Sequence, residues 1–373
     1  MKRCIILSVI FISIIVIPIN AYADEYDENL SAFDLSSFEL LDSDTKKFLE
    51  ENKLDGFRYE DIYNLSISDT ISYIKSGLLK SVKTPLEAGA VLIVFIILSS
   101  LFKSMNSDLR ENDLSVFYTS VASLITAVFL ASKITDCINV SQSTIKLCSD
   151  FSYGFFPVFC LIVATSGGVM TSFAVNTLLL TLSQFMNFIS EVIFVPGVNC
   201  LLALGICSGV NSEVHLSSLT STVKKVLTTL ISSLSALFVS ILSIKTSVAS
   251  KADALGLRSM RFAINTVVPV VGPSISEGLI SIQSYSSLVK TGVGIVGIIS
   301  IFSLFVPALS SVISWRFILL LCNMTAEIFD DGNSSLIINA FRDVMLLIEV
   351  LLILSMLTTV ISLGILVAAR TVE

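Results

Sequence analysis

Charged residues are scarce in this chain, and histidine is almost absent. Of its 373 residues, 14% are charged and a single one is His, whereas soluble domains carry about 25% charged residues. Hydrophobic residues make up 54% of the chain, and the mean hydropathy is +0.87. This composition excludes an ordinary soluble domain and predicts an integral membrane protein.

The chain also lacks the common motifs of metal sites and active sites. Its seven cysteines and one histidine form no Cys-x-x-Cys and no His-x-x-x-His, which argues against structural zinc. No Walker A, Gly-x-Ser-x-Gly or His-Glu-x-x-His motif occurs. We therefore predict a protein that is not an enzyme and has no metal or cofactor. The net charge of −7 gives no support to nucleic-acid binding.

The N-terminus has the pattern of a secretory signal peptide. Lys2 and Arg3 precede a short apolar run over residues 4–17, and Ala21-Tyr22-Ala23 fits a cleavage site. We predict a signal peptide over residues 1–23, with an uncleaved anchor as the alternative. Residues 24–84 are acidic and form a predicted extracytoplasmic segment. Its helical part is too short for an independent core, so we expect it to pack on the membrane region or on a partner.

Residues 85–373 read as an all-α, polytopic transmembrane region with about seven helices. The apolar runs cover 86–102, 114–132, 151–166, 171–195, 226–244, 288–314 and 344–369. Whether 198–210 and 316–328 also cross stays open. The positive-inside rule places a predicted basic loop in the cytosol. This loop carries Lys245, Lys251, Arg258 and Arg261.

A stretch rich in helix breakers follows the basic residues. Pro269, Gly272, Pro273 and Gly278 exclude a plain spanning helix there. Irregular backbone survives at membrane depth only beside protein or a water-filled cavity. We therefore predict a pathway lined by broken segments. Its candidate residues are Pro157, Gly167, Gly168, Asn265, Pro269, Gly272, Ser274 and Glu277.

An internal repeat is a further prediction. Residues 155–159 resemble 267–271 around Pro157 and Pro269, and 114–210 would correspond to 226–328 at an offset of about 110 residues. Three crossings per unit would invert the second copy, and a fourth would make it parallel. Two acids in or near apolar segments, Glu191 and Glu349, are predicted to face a pathway or a partner. The alternative is that Glu191 lies near its helix end at the membrane interface and that Glu349 hydrogen-bonds within the bundle.

Three glycines in the predicted span 288–314 match a nucleotide-binding pattern. Gly292, Gly294 and Gly297 fit the dinucleotide fingerprint Gly-x-Gly-x-x-Gly. They lack its strand-turn-helix context. Close packing of helices is therefore the favoured interpretation.

Two stretches resemble the stage III sporulation protein AE family of endospore-forming bacteria. One runs from Leu257 to Gly272, and the other is Ala164-Thr-Ser-Gly-Gly-Val169. The resemblance implies a component of the multiprotein channel between mother cell and forespore, needed for late forespore development. It implies the other stage III A proteins and the forespore Q protein as partners. It places the protein in the mother-cell membrane around the forespore.

We therefore expect a non-enzymatic, multi-pass subunit of a secretion-like apparatus. The alternative is a self-sufficient secondary transporter of a small solute, which would work without partner proteins.

Overall fold

A computed structural model describes residues 33–54, 67–106, 112–210, 217–267, 272–329 and 331–368. The predicted signal peptide and Pro269 lie outside this part. A 3-10 turn, Ser36–Leu40, precedes eight α-helices in the described part, and no strand occurs there. The helices are α1 Ser43–Glu51, α2 Ile67–Asn106, α3 Asn112–Thr165, α4 Val169–Phe188, α5 Val195–Val210, α6 Ser217–Val267, α7 Gly272–Ile328 and α8 Gly332–Ala368. The all-α prediction is confirmed.

Six helical segments of the described part are long and apolar enough to cross a membrane. They are Ser72–Leu101, Val121–Thr165, Val169–Ser208, Ser218–Thr266, Ser276–Ile328 and Gly332–Ala368. A bilayer needs about 20 helical residues, so the longest of these segments extend well past it. The protein is thus a multi-pass membrane protein.

Several predicted spans merge into longer helices, which corrects their expected boundaries. The runs 114–132 and 151–166 both lie in α3. The charged residues between them, such as Asp136 and Lys146, point outward without ending the helix. Charge ends an apolar run but does not break a helix, because Lys is a good helix former and a single Asp costs little. The segments 198–210 and 316–328 likewise continue the helices before them.

Helices α7 and α8 form the centre of the bundle. In the most apolar part of α7, 78% of the residues are buried, against 22% in α6. Glycines let the central helices approach their neighbours closely. A Cβ added at Gly297 would lie 2.8 Å from the Phe155 ring, and one at Gly294 would collide with Val367. The packing interpretation of the glycine pattern is confirmed.

Helix α2 runs parallel to α7 and packs along it. The Tyr73 hydroxyl donates to the carbonyl oxygen of Ser303 at 3.2 Å, and Ser100 donates to that of Phe329 at 2.8 Å. Between these bonds, Gly89 lies against the Ile318 side chain. Each residue of α2 thus lies beside a residue of α7 that comes about 230 positions later in the chain, and this difference is the same along the whole pair.

The first described residues pack on the membrane region, as expected. The Phe38 ring meets those of Phe151 and Phe155 edge-on, with centroids 5.1 and 5.3 Å away. The Phe48 ring lies 4.3 Å from that of Tyr73. The Lys80 ammonium lies 3.2 Å from the Asp44 carboxylate. This segment is thus attached to α2 and α3. Its extracytoplasmic position stays a prediction, but it does not fit together with a cytosolic position of the predicted basic residues. Helix α2 runs parallel to α7, and the basic end of α6 lies beside the start of α7, so this segment and the basic residues lie on the same side of the bundle.

The two stretches of the predicted repeat begin with helices that run in the same direction. Helix α3 is antiparallel to α4, with Ser149 donating to the Ser183 carbonyl at 2.7 Å. Helix α6 is also antiparallel to α4, because Asp253 binds the start of α4 while Leu227 packs near Gly197, just beyond its end. The orientation of α3 and α6 does not fit an inverted pair. The repeat itself stays a prediction.

Two ion pairs join the central helices to each other and to α6. Arg316 of α7 binds Glu349 of α8. Lys224 of α6 lies 2.5 Å from Asp343 of α8. Glu349 is the more enclosed acid, with 12% of its side chain exposed against 36% for Asp343. An enclosed carboxylate is costly without such a partner.

We expect Glu349→Gln to destabilise the bundle, because it leaves the Arg316 guanidinium without this carboxylate. The expected loss is about 1–3 kcal/mol, less than for a fully buried pair because Arg316 is partly exposed. Thermal unfolding of the purified protein in detergent would show a lower midpoint. Arg316→Leu combined with Glu349→Leu should recover most of the loss.

Lys224→Gln is the matched control for this prediction. Its ion pair is more exposed, so the expected loss is below about 1 kcal/mol. Equal midpoints for Glu349→Gln, Lys224→Gln and the parent protein would contradict the role given to the enclosed pair.

Candidate functional site

The Gly-Gly motif forms the tip of the α3–α4 hairpin. Gly167 has φ +96°, a conformation that favours glycine. The Gly168 amide donates to the Val163 carbonyl at 2.9 Å, and the Gly167 amide donates to that of Ala164 at 3.0 Å. These two bonds form a Schellman motif, which satisfies the last carbonyls of α3. The motif therefore ends one helix and lets the next begin within three residues.

The start of α4 is capped by Asp253, a residue of α6. The Met170 amide donates to Oδ1 of Asp253 at 2.6 Å, and the Thr171 amide donates to Oδ2 at 2.9 Å. The Thr171 hydroxyl also donates to Oδ2, at 2.7 Å. Gly168, at the N-cap position, has no side chain for this task. A carboxylate is favoured here because it binds unpaired amides and faces the positive end of the helix dipole.

Helix α7 also reaches this tip, beside α6. A Cβ added at Gly167 would lie 3.2 Å from Leu257 of α6 and 3.4 Å from the Gln283 amide of α7. Asp253 is 5% exposed and Gln283 is 7% exposed. The amide oxygen of Gln283 has no hydrogen-bond partner among the described residues. We call this meeting point of α3, α4, α6 and α7 the Asp253 junction. It comprises Gly167, Gly168, Met170, Thr171, Asp253, Leu257 and Gln283.

The predicted basic loop is helical, which is a correction. Lys245, Lys251, Arg258 and Arg261 all lie within α6, which ends at Val267. No proline interrupts this helix, and Ala and Leu favour its continuation. Lys245, Lys251 and Arg258 are exposed, whereas Arg261 is half-buried. The basic residues thus stand along one rigid element.

Three breakers of the predicted irregular stretch lie within a helix, which is a correction. Gly272, Pro273 and Gly278 belong to α7, and Pro269 lies outside the described residues. Helix α6 ends at Val267 and α7 begins at Gly272. Near this boundary, the Ser276 hydroxyl hydrogen-bonds the Asn265 side chain at 3.0 Å. Glu277 is exposed. The side chain of Ser274 lies outside the described residues, and the role of this stretch in a pathway stays a prediction.

Pro157 does not break its helix, which corrects the expectation of a broken segment there. Helix α3 passes through Pro157 without interruption, and the ring is exposed. A proline removes one backbone hydrogen bond, and neighbouring groups can compensate for the loss in a membrane helix. The structure therefore does not bring Pro157 to the tip formed by Gly167 and Gly168, two to three turns away.

Glu191 lies in a π-helical turn, Ile189–Phe194, between α4 and α5, and its side chain is exposed. Ser190 of the same turn lines a cavity of about 10 Å³ together with Ser141, Gln142 and Ile348. Such a volume holds about one water molecule. Sites for organic ligands measure about 300–1,000 Å³. This cavity therefore does not bind an organic solute.

Sequence reasoning missed the cap that Asp253 forms on Thr171 and Met170, and it missed the burial of Lys290. Asp253 is the lone acid in a basic stretch, a signal that was visible. Lys290 of α7 is 3% exposed and interrupts a long run without other charges, a second visible signal. Among the described residues, no group of three or more His, Cys, Asp or Glu side chains could hold a metal ion.

The helices, ion pairs and Asp253 junction define an all-α, multi-pass membrane protein. The family model described as stage III sporulation protein AE matches residues 54–370. The chain therefore belongs to the stage III sporulation protein AE family and has a role in sporulation. The stretch from Ala164 to Val169 and the stretch that begins at Leu257 meet at the Asp253 junction. Both lie within the matched region.

A characterised relative supports the family. The chain is 19% identical over 207 residues to the stage III sporulation protein AE of Bacillus subtilis (strain 168). The match covers 56% of this chain and 52% of the relative. The chain thus spans about half the length of the curated relative it matches. No solved structure matches this protein.

We expect Gly167→Ala to destabilise the hairpin tip. The left-handed conformation strains any L side chain, and the new methyl group would press on Leu257. The expected loss is about 1–3 kcal/mol, seen as a lower unfolding midpoint in detergent.

Gly256→Ala is the matched control, because a Cβ there meets nothing within 4 Å. In the middle of α6 it should stabilise by up to about 1 kcal/mol. Equal effects of the two variants would contradict this account.

We expect Asp253→Ala to loosen the start of α4. Two backbone amides would lose their acceptor, with an expected loss of about 1–2 kcal/mol. Hydrogen exchange by mass spectrometry would show faster exchange at Met170 and Thr171. Ser259→Ala, an exposed change on the same helix, should leave that exchange unchanged. Unchanged exchange in Asp253→Ala would show that the cap does not hold α4.

Proposed function

We propose that this protein is a non-enzymatic subunit of the multiprotein sporulation channel that links mother cell and forespore. In this proposal it lies in the mother-cell membrane around the forespore. Its partners are the other stage III A proteins and the forespore Q protein. The proposal follows from membership in the family and from the packing of the bundle.

The observation that carries the proposal is the filled centre of the bundle. Six phenylalanines are fully buried there, namely Phe151, Phe155, Phe156, Phe159, Phe305 and Phe341. Rings of this size fill much of the space between α3, α7 and α8. The cavity beside the π-helical turn holds about one water molecule. A conduit that includes this subunit would therefore run between chains rather than through the described part of one chain.

The same observation separates the proposal from a self-sufficient transporter. Such a transporter binds its solute near the middle of its own bundle, at broken helices. Here α6 is helical up to Val267 and α7 is helical from Gly272, so both helices are continuous through the middle of the bundle. In this proposal the exposed side chains of Asn265 and Glu277 contact a neighbouring subunit.

The test is co-purification followed by reconstitution. The tagged, full-length protein, isolated from sporulating cells in mild detergent, should bring down the other stage III A proteins and the Q protein. The same preparation from vegetative cells that express only this chain is the control. Reconstituted alone into liposomes, the protein should not accumulate solutes from a radiolabelled mixture of amino acids and nucleosides.

Two results would contradict the proposal. One is the absence of these partners from a preparation in which the protein is intact and monodisperse. The other is concentrative uptake of a solute by the protein alone, which would establish the transporter instead.

A further inference from the structure

From Ile241 onward, helix α6 has two opposite faces. The inner face carries Leu242, Thr246, Ala249 and Asp253, which are spaced by four, three and four residues. All four are 7% exposed or less. This spacing is that of one helix face, and Asp253 attaches it to α4. The orientation of α6 about its axis is therefore defined.

The outer face carries apolar residues every seven positions. Ile241, Val248, Leu255 and Phe262 are 48%, 65%, 64% and 74% exposed. Three residues after the first three of these come Ile244, Lys251 and Arg258, all exposed as well. Together the seven residues have the a and d spacing of a heptad seam. We call them the α6 seam.

Much of the α6 seam extends past the bilayer. The charge-free run 226–244 comprises 19 residues, or about 28 Å of helix, which is one hydrocarbon core. Phe262 lies 17 residues beyond Lys245, or about 25 Å further along the axis. The hydrocarbon core therefore does not cover Leu255 and Phe262.

The seam is also unsuited to the membrane surface. A surface-bound amphipathic helix lies in the plane of the interface. The α6 seam instead belongs to the same unbroken helix as the spanning run. Its inner face is held against α4 through Asp253, so it stands away from the membrane rather than lying on it.

The charge of the seam distinguishes between two kinds of protein partner, a second copy of this chain and a helix of another protein. Lys245, Lys251 and Arg258 are exposed on or beside the seam, whereas Asp253 is buried and already bound. The exposed charge of this stretch is thus positive. A second copy of the seam would place like charges opposite each other, which is destabilising. An acidic helix would place opposite charges there.

We propose that the α6 seam docks an acidic amphipathic helix of a partner protein, in a coiled-coil-like contact. Leu255 and Phe262 would supply the apolar contacts, and Lys251 and Arg258 would pair with carboxylates. The inference rests on the proposed function in so far as it requires a multiprotein assembly. It assigns one contact surface of this chain within that assembly.

The test is site-specific photo-cross-linking of the full-length chain in sporulating cells. A photoreactive benzophenone amino acid is placed at Leu255, at Val248, or at Phe173 as the control. Phe173 is 78% exposed on α4 and does not belong to the seam. The cross-linked peptide is then sequenced by mass spectrometry. We expect both seam positions, and not Phe173, to yield a helix-forming acidic segment of another protein.

Three outcomes would overturn the proposal. A lipid adduct at Leu255 would assign the seam to the membrane. A peptide of this same chain would assign the seam to a contact within the chain or between two copies of it. A yield at Leu255 and Val248 no higher than at Phe173 would show that nothing docks there. The use of two seam positions guards against a local folding defect at one of them.

Charge reversal tests the electrostatic part. Lys251→Glu combined with Arg258→Glu should lower the cross-linking yield at Leu255 at least about tenfold, because like charges would then face each other. Lys225→Glu, an exposed change at the other end of the same helix, should leave the yield unchanged. An equal yield in the double variant would overturn the pairing with an acidic helix.

The two proposals fail separately. If stage III A proteins co-purify but Leu255 yields only lipid, the seam is wrong and the proposed function stands. If Leu255 yields an acidic helix but no stage III A protein co-purifies, the seam stands and the proposed function is wrong.

Discussion

A helix that begins beside two glycines has no side chain of its own to bind its first amides, and inside a membrane protein those amides need another acceptor. In this bundle the acceptor comes from Asp253, 83 residues away along the chain. The contact sets the axial position of α6 against the α3–α4 hairpin and the rotation of α6 about its axis. The same placement brings Lys224, at the far end of α6, to Asp343.

The parts of the fold that depend on local chemistry could be predicted from the sequence. Low charge and long apolar runs predicted an all-α membrane bundle. The glycines at 294 and 297 predicted close packing. Each of these inferences uses residues within one or two helical turns.

The rest depends on contacts between distant residues, which periodicity does not reveal. Nothing local shows that Asp253 binds the amides of Met170 and Thr171. The continuity of α3 through Asp136, Lys146 and Pro157 is likewise not visible in the sequence, because charge and proline are also the usual signals for the end of a span. Charge marks the edge of the lipid, whereas the helix ends only where its backbone changes conformation, as at Gly167.

The parallel pairing of α2 with α7 has a consequence for biogenesis. The residues of α2 meet partners about 230 positions later in the chain, such as Ser303 for Tyr73. At about 5–20 residues per second, α2 waits roughly 10 to 50 s before the ribosome has made its partner. Gly89 is thus synthesised long before Ile318, the residue it packs against. Insertion factors or chaperones that hold early helices apart would therefore affect the yield of this protein more than that of bundles built from sequential hairpins.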